Sequence, residues 1–290
     1  MRVISINQDR CCLCEECVDI CVRSVYELKD DQITADDPSQ CIFCGHCVAI
    51  CPEDAIQLPV VNMDEFEKAP ARENLPSPGQ LMDLFRSRRS TRQYLDRPVE
   101  KEKIEMIIEA GRFAPTGGNL QPFRFSVVQD AAKLQSIKDL ICKSMLVKTD
   151  QDEKILGEKI KKGEAFTSSE QVQYSYISSM RRMVQHTMDG ADKILWGAPV
   201  LISAYAPSDF TESAVNAGLT GMHMSLMAES LGLGNCFIGF VVMAANSTPE
   251  IKQIMKIPES SSLVVALIVG YTNLQFNKVV SRKSARTVWT

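Results

Sequence analysis

Behind Ser77-Pro78, an N-cap followed by proline at the first helical position, Leu81, Leu84 and Phe85 recur at helical spacing. A second stripe, Ile104, Ile107 and Ile108, predicts a helix from Glu100 to about Arg112. Apolar runs bounded by Gly, Pro or polar residues predict strands at Phe123–Val128, Pro199–Tyr205, Cys236–Val242 and Leu263–Gly270. Helical stretches are expected between them, over about 131–146, 176–196, 211–231 and 248–256. The stretch 211–231 carries Ala214, Ala217, Gly218, Gly221, Met224 and Ala228, small enough for close packing on all sides, and is expected to be a central buried helix. Residues 147–175 break the pattern, with Lys159, Lys161 and Lys162 ahead of a polar run, Ser168–Gln173. They fit either a solvated helix and loop or a lid over a substrate site. This order of helices and strands predicts an α+β layered domain with a mixed sheet.

The segment ahead of this body follows neither period. Between Pro59 and Pro78 four prolines, many charges and little apolar periodicity give linker composition. The chain is therefore divided into residues 1–60, a linker 61–78, and a body 79–290. At 290 residues, about two domains are expected. A hydrophobic fraction of 45%, a charged fraction of 23% and a mean hydropathy of -0.08 exclude disorder and collagen-like repeats. No apolar run approaches the ~18 residues of a membrane span. Met1–Ile6 lacks the basic start and apolar stretch of a signal peptide, so the expected location is cytoplasmic.

Charge and cysteine sharpen the division. Residues 1–60 hold eleven acids and four bases, net -7, and the rest hold twenty-five acids and twenty-eight bases, net +3. With no basic patch and a pI near 5.6, neither nucleic acid nor a membrane is an expected partner. Nine of the eleven cysteines lie between Cys11 and Cys51, and in a reducing compartment thiols so placed are metal ligands sooner than disulfides.

The spacing Cys11-x2-Cys14-x2-Cys17-x3-Cys21 recurs thirty residues later as Cys41-x2-Cys44-x2-Cys47-x3-Cys51, followed by Pro52. Val18 and Val48, Ile20 and Ile50, Val25 and Ala55, Tyr26 and Ile56, and Leu28 and Leu58 keep the same offset, as two halves of a pseudo-symmetric core should. Structural zinc is the competing reading, but its ligand pairs are usually separated by a longer spacer. Residues 1–60 resemble bacterial-type ferredoxins with two [4Fe-4S] clusters, in which the fourth Cys of each run ligates the other cluster. The resemblance implies that Cys11, Cys14, Cys17 and Cys51 hold one cluster, and Cys41, Cys44, Cys47 and Cys21 the other. Cys12 is a spare thiol in this frame, and Val22 stands where the first copy would often have proline. Each cluster with four thiolates adds about two negative charges when oxidised, making this segment more acidic still.

In the body, Arg86, Arg88, Arg89 and Arg92 crowd around Ser90, a candidate phosphate clamp of guanidinium forks. The loop Ala114-Pro115-Thr116-Gly117-Gly118-Asn119-Leu120-Gln121-Pro122 has two glycines that let backbone approach a flat ligand. With Leu231-Gly232-Leu233-Gly234-Asn235-Cys236-Phe237-Ile238-Gly239 and the tail Ser281-Arg282-Lys283, these motifs resemble, in order and spacing, the nitroreductase family of FMN-dependent oxidoreductases over about residues 79–290. The resemblance implies that Arg88, Ser90 and Arg92 contact the FMN phosphate, ribityl chain and ring edge. It implies that Pro115, Thr116 and Gly117, with Asn119 nearby, lie against the flavin of the other subunit. Ile238 and Gly239 would approach the flavin N5 side, and Arg282 with Lys283 the phosphate. The family is an intertwined homodimer with flavin at the interface, which would account for a long tail after Gly270. Cys142 and Cys236 read as ordinary core residues, His223 as an interior histidine and His186 as a surface one. No Ser-His-Asp order or metal-binding histidine pair emerges, so no catalytic side chain is assigned.

The combined expectation is an FMN oxidoreductase with its own two-cluster input, receiving electrons from a ferredoxin-like donor or NAD(P)H. Its acceptor would be a nitroaromatic, quinone or other conjugated small molecule. The alternatives are a dehalogenase or flavin-modifying enzyme of the same superfamily and a non-catalytic redox sensor or electron carrier.

Overall fold

A computed structural model describes residues 3–210 and 213–290 and divides them into two compact units. One comprises the residues up to Pro76 together with Thr116–Leu120; the other comprises Ser77–Pro115 and Gln121–Thr290.

In the smaller unit the chain runs β1 (Ser5–Ile6), α1 (Glu16–Asp19), β2 (Tyr26–Lys29), β3 (Gln32–Ala35), α2 (His46–Ile50) and β4 (Ile56–Gln57). β1 pairs antiparallel with β4, and β2 with β3. The duplication in the sequence is a duplication of backbone: Leu13 and Phe43 (φ 56 and 52), Glu15 and Gly45 (60 and 77), and Ser24 and Asp54 (48 and 48) are all left-handed. Glycine serves at one copy for a further reason, because a β-carbon at 45 would lie 2.8 Å from the Phe66 ring. Phe66 belongs to the proline-rich stretch, which packs with this unit. The core joins Ile4, Val25, Tyr26, Ile33, Val48, Ile56 and Leu58 with Cys17 and Cys47. Symmetry fails at one expected pair: Leu58 is fully buried, whereas Leu28 is 44% exposed.

The larger unit begins with α3 (Pro78–Ser87), opened by the expected cap in the form of a Ser77/Gln80 capping box, and α4 (Lys101–Arg112). Then come β5 (Arg124–Val128), α5 (Ala131–Lys161), α6 (Ser168–Met188), β6 (Val200–Pro207), α7 (Ser213–Ser230), β7 (Gly234–Phe237), α8 (Gly239–Ser247), α9 (Pro249–Ile254) and β8 (Ser261–Gly270). The sheet order is β5-β6-β8-β7. Neighbouring strands all pair antiparallel, so among the described residues the mixed character expected of this sheet is confined to one parallel bridge, Ser90 to Asn235. Only α7, between β6 and β7, carries the chain back across the sheet, because β6 and β7 run in the same direction on either side of β8. Alternation along the central strands feeds two cores: Val200, Ile202, Leu267 and Val269 pack with α4 and α7, and Leu201, Ala266 and Ile268 with α5, α8 and α9. This is the α+β layered body.

Three element expectations are corrected. The strand expected at Cys236–Val242 ends at Phe237, and Gly239 opens α8; a short apolar run buried all round has no period to tell strand from helix. Helix α5 runs fifteen residues past its expected end, because its buried stripe Met145, Thr149, Asp152 and Leu156 keeps helical spacing with two polar members. Helix α6 starts at Ser168 with a Thr167/Glu170 capping box and stops at Asp189, where Asp192 accepts the amides of Ile194, Leu195 and Gly197. Residues 147–175 are thus mainly two helices joined by a turn. Helix α7 buries Asn216, Ala217, Thr220, Met224, Ser225 and Ala228 but leaves Val215, Leu219 and Met222 exposed at 75%, 39% and 43%, so it is not enclosed on all sides within one chain. Its expected first residues, 211 and 212, lie outside the described ones. Among the described residues no helix is long and apolar enough to cross a membrane.

Candidate functional site

Each Cys-x2-Cys-x2-Cys run turns through its left-handed residues and ends in a short helix, so the thiols face inward around a hollow. Cys11, Cys14, Cys17 and Cys51, with Cys12 beside them, line one, and Cys21, Cys41, Cys44 and Cys47 line another. The fourth cysteine of each run is thus carried to the other run's hollow, the crossed grouping expected above. Among the described residues no three such side chains converge on a point where a single ion could sit. Four thiols gathered around each hollow are a donor set that fits an iron–sulfur cluster.

The surroundings fit such a group chemically. Backbone N–H groups of Val25, Phe43 and Ala55 donate to the sulfurs of Cys21, Cys41 and Cys51 at 3.4, 3.4 and 3.3 Å. Burial pushes the Cys17 thiol up to about 11 and the Cys47 thiol upward. A buried thiolate therefore needs a cation beside it, and loading iron would release protons. The Cys12 thiol, held up mainly by its hydrogen bond to Cys14, is exposed.

Two features of this unit were not read from the sequence. The buried Tyr26 hydroxyl donates to Cys47 Sγ at 3.1 Å; burial and that bond push its own ionisation up, so it stays a donor. The signal was available in the pairing of Tyr26 with Ile56, a polar-tipped residue matched to an aliphatic one. The second is Asn119, whose side-chain amide donates to the carbonyls of Ile42 and Phe43 at 3.1 and 2.9 Å.

In the larger unit, α3 ends at an extended Arg88, and Ser90 bridges to Asn235 on β7. Thr91 N–H donates to the Asn235 carbonyl at 2.9 Å, and the Thr91 carbonyl accepts the Tyr94 hydroxyl at 2.7 Å. Thr91 is 5% exposed, its neighbours Arg88 and Ser90 are half-buried, and the exposed Arg92 lays its guanidinium over the Trp196 ring, 5.8 Å from the centroid. Asn235 is fixed by Ser225, with Ser225 Oγ donating to Oδ1 at 2.6 Å and Nδ2 donating to the Ser225 carbonyl at 3.1 Å. Three residues beyond Asn235 comes Ile238, buried, and then Gly239, exposed at the start of α8. Two guanidinium groups and a hydroxyl beside an exposed backbone turn are a donor set suited to a phosphate and a polar ring edge.

The structure thus brings Arg88, Ser90 and Arg92 beside the strand that leads to Ile238 and Gly239. It does not gather all the candidates. Pro115 belongs to the larger unit, whereas Thr116, Gly117 and Asn119 group with the cysteine unit. Arg282 and Lys283 lie in an exposed tail without regular structure, where Arg282 donates to the Ser281 carbonyl. Cys142 and Cys236 are core residues as expected, and His223 Nδ1 pairs with the Ala110 carbonyl at 3.2 Å.

Comparison with known proteins bears on both units. The model of the nitroreductase family matches residues 85–271, and that of a 4Fe-4S dicluster domain matches residues 10–56. The nitrobenzene nitroreductase of Ectopseudomonas oleovorans is 37% identical over 59 residues, 20% of this chain and 26% of that protein. An Archaeoglobus fulgidus protein named for NADH dehydrogenase and NAD(P)H nitroreductase activity is 38% identical over 60 residues, 21% of this chain and 34% of that protein. The chain thus matches about a third or less of the length of these relatives. Among solved structures, a nitroreductase with bound FMN from Desulfitobacterium hafniense superposes with a TM-score of 0.54 at 20% identity, covering 72% of this chain and 97% of that one. A second, from Bacteroides fragilis, gives 0.53 at 20% identity over 72% and 98%. At that identity the likeness is one of fold.

Proposed function

Because the chain belongs to the nitroreductase family and carries a 4Fe-4S dicluster domain toward its N-terminal end, we propose that it is an FMN-dependent oxidoreductase fed through two [4Fe-4S] clusters. The observation that carries this reading is the crossed grouping of eight cysteines in two hollows, in one chain with the family's body. Bound FMN supplies the ability to accept electrons singly and deliver a pair as a hydride equivalent. Arg88 and Arg92 clamp the phosphate, Ser90 hydrogen-bonds the polyol or ring edge, and the backbone at Ile238 and Gly239 lies along the ring. Arg282 and Lys283 add positive charge at the phosphate, and Pro115, Thr116, Gly117 and Asn119 form a cofactor-facing loop. The thiols of Cys11, Cys14, Cys17 and Cys51, and of Cys21, Cys41, Cys44 and Cys47, hold iron and exclude water from it. The substrate is a nitroaromatic, quinone or other conjugated acceptor, in a reducing compartment such as the cytoplasm.

A homodimer is part of the reading. Exposed Val215, Leu219 and Met222 on α7, Leu81, Met82 and Phe85 on α3, and Phe276, Val288 and Trp289 in the tail leave apolar surface that a second copy would cover.

The test is anaerobic turnover of an acceptor panel with a chemically reduced ferredoxin, and separately with NADPH, in the wild type and in Cys14→Ser/Cys44→Ser. The ferredoxin-driven rate should collapse in the variant while FMN stays bound. Equal rates in the two proteins would sink the proposal. A fully reduced flavin that passes electrons to no acceptor would favour a carrier or sensor instead.

A further inference from the structure

The two halves of the cysteine unit are copies in backbone but not in what surrounds the sulfurs. The backbone donors Val25 to Cys21 and Ala55 to Cys51 are equivalent across the duplication. Tyr26 donates its buried hydroxyl to Cys47 at 3.1 Å, whereas the matched position is Ile56, which has no hydrogen to donate. Phe43 N–H reaches Cys41 at 3.4 Å, and among the described residues no bond joins Leu13 N–H to Cys11. The first hollow's own side-chain donor is the exposed Cys12 thiol beside Cys14, a weak donor in contact with water. The clasp of Asn119 on the Ile42 and Phe43 carbonyls fixes the very peptides that aim the Phe43 N–H, which makes Asn119 a positioning residue of the second hollow.

Charge is asymmetric in the same sense. Glu15, Glu16 and Asp19 in the first copy are matched by Gly45, His46 and Ala49 in the second, and Glu53, just past Cys51 of the first hollow, is matched by Arg23, just past Cys21 of the second. Glu15 and Glu16 line the first hollow; Arg23 and His46 line the second. A hydrogen bond to a ligating sulfur stabilises the more negative, reduced cluster, and nearby carboxylates destabilise it.

We propose that the clusters are unequal, that the one held by Cys21, Cys41, Cys44 and Cys47 has the higher reduction potential, and that Tyr26 sets part of the difference. This rests on the two-cluster reading above. With that ordering, an electron delivered to the first cluster would pass to the second, oxidising one and reducing the other with no bond formed or broken. Cys21, Cys41, Cys44 and Cys47 would then hold the cluster from which electrons leave the unit.

The experiment is an anaerobic redox titration of the full-length holoprotein followed by EPR, with iron and sulfide counted on each sample. Tyr26→Phe keeps the ring and removes only the donor. It should move the higher of two potentials downward and leave the lower in place. Glu16→Gln/Glu53→Gln, changed at exposed positions, should move the lower one upward and leave the higher in place, which tests the asymmetry even if Tyr26→Phe assembles poorly. Potentials unchanged in either fully loaded variant, or both potentials moving together, would overturn the proposal. A wild type with no iron–sulfur signal would instead overturn the reading on which it rests.

Discussion

Gly234 lies where the proposed cofactor-facing segment, residues 88–92, meets the sheet. A β-carbon added there would come within 2.6 Å of Thr91 Cγ2, 2.9 Å of Thr91 Cβ and 3.0 Å of its Oγ1. Carbon atoms pack at ~3.5–4.0 Å, so the overlap is about 1 Å. Thr91 cannot turn aside, because it is 5% exposed and its peptide is held at both ends by Asn235 and Tyr94. Gly234→Ala should therefore push residues 88–92 off β7, at the ~1–3 kcal/mol typical of overpacking. Two kcal/mol in a domain of this size lowers Tm by about 4–8 °C. Arg88, Ser90 and Arg92 ride on the displaced segment, and if binding FMN requires it to return, affinity falls by about 30-fold for the same 2 kcal/mol. Thermal unfolding of the flavin-free protein and fluorescence titration with FMN measure the two effects separately. Thr91→Ala removes the clashing Cγ2 and Oγ1 and leaves only Cβ at 2.9 Å, so adding it to Gly234→Ala should recover part of both losses as a coupling of about 1 kcal/mol. An unchanged Tm and FMN affinity in Gly234→Ala, or additive losses in the double variant, would refute the reasoning.

Other consequences are as concrete. Ser225→Ala leaves the buried Asn235 Oδ1 without its donor and should cost about 1–3 kcal/mol, read by thermal unfolding, with Ser225→Thr closer to wild type. Lys159 holds the Glu170 carboxyl well below its ordinary range, at about 2, so the pair's contribution is complete above the ordinary carboxylate value near 4.5 and is lost as pH falls from there through about 2. Hydrogen exchange in the 162–167 turn should accordingly separate wild type from Glu170→Gln at pH 6, with the gap closing on acidification. Val215→Asp/Met222→Asp should convert a dimer to monomers in sedimentation while leaving cluster content intact; an unchanged dimer would remove α7 from the interface.

What was legible in the sequence depended on whether one residue class carried the signal. The two repeated cysteine runs were readable from thiol spacing alone, while their crossed grouping came from the resemblance to two-cluster ferredoxins. The central strands, with Leu201, Ile202, Leu267 and Ile268 fully buried, were readable because both faces are apolar. The second half of α5 was not, since Thr149 and Asp152 occupy its buried stripe and Lys148 offsets the carboxylate at 3.1 Å. Helix α8 was hidden by the opposite excess, apolar residues without a period. At the candidate flavin site, the cluster of Arg88, Ser90 and Arg92 is visible along the chain, but the pinning of Thr91 by Asn235 arises from a contact over a long sequence separation. Tyr26 shows a subtler limit: as a member of an apolar pair it looked like packing, and only its distance to Cys47 reveals a donor.

The central claim is that one chain joins two iron–sulfur clusters to a flavin. Anaerobic purification of the full-length protein, followed by counting iron, acid-labile sulfide and FMN per chain, tests it most directly. Two four-iron clusters and one flavin site predict about eight irons, about eight sulfides and one FMN. Zinc in place of iron, or iron at the predicted level with no flavin retained or rebound, would contradict it.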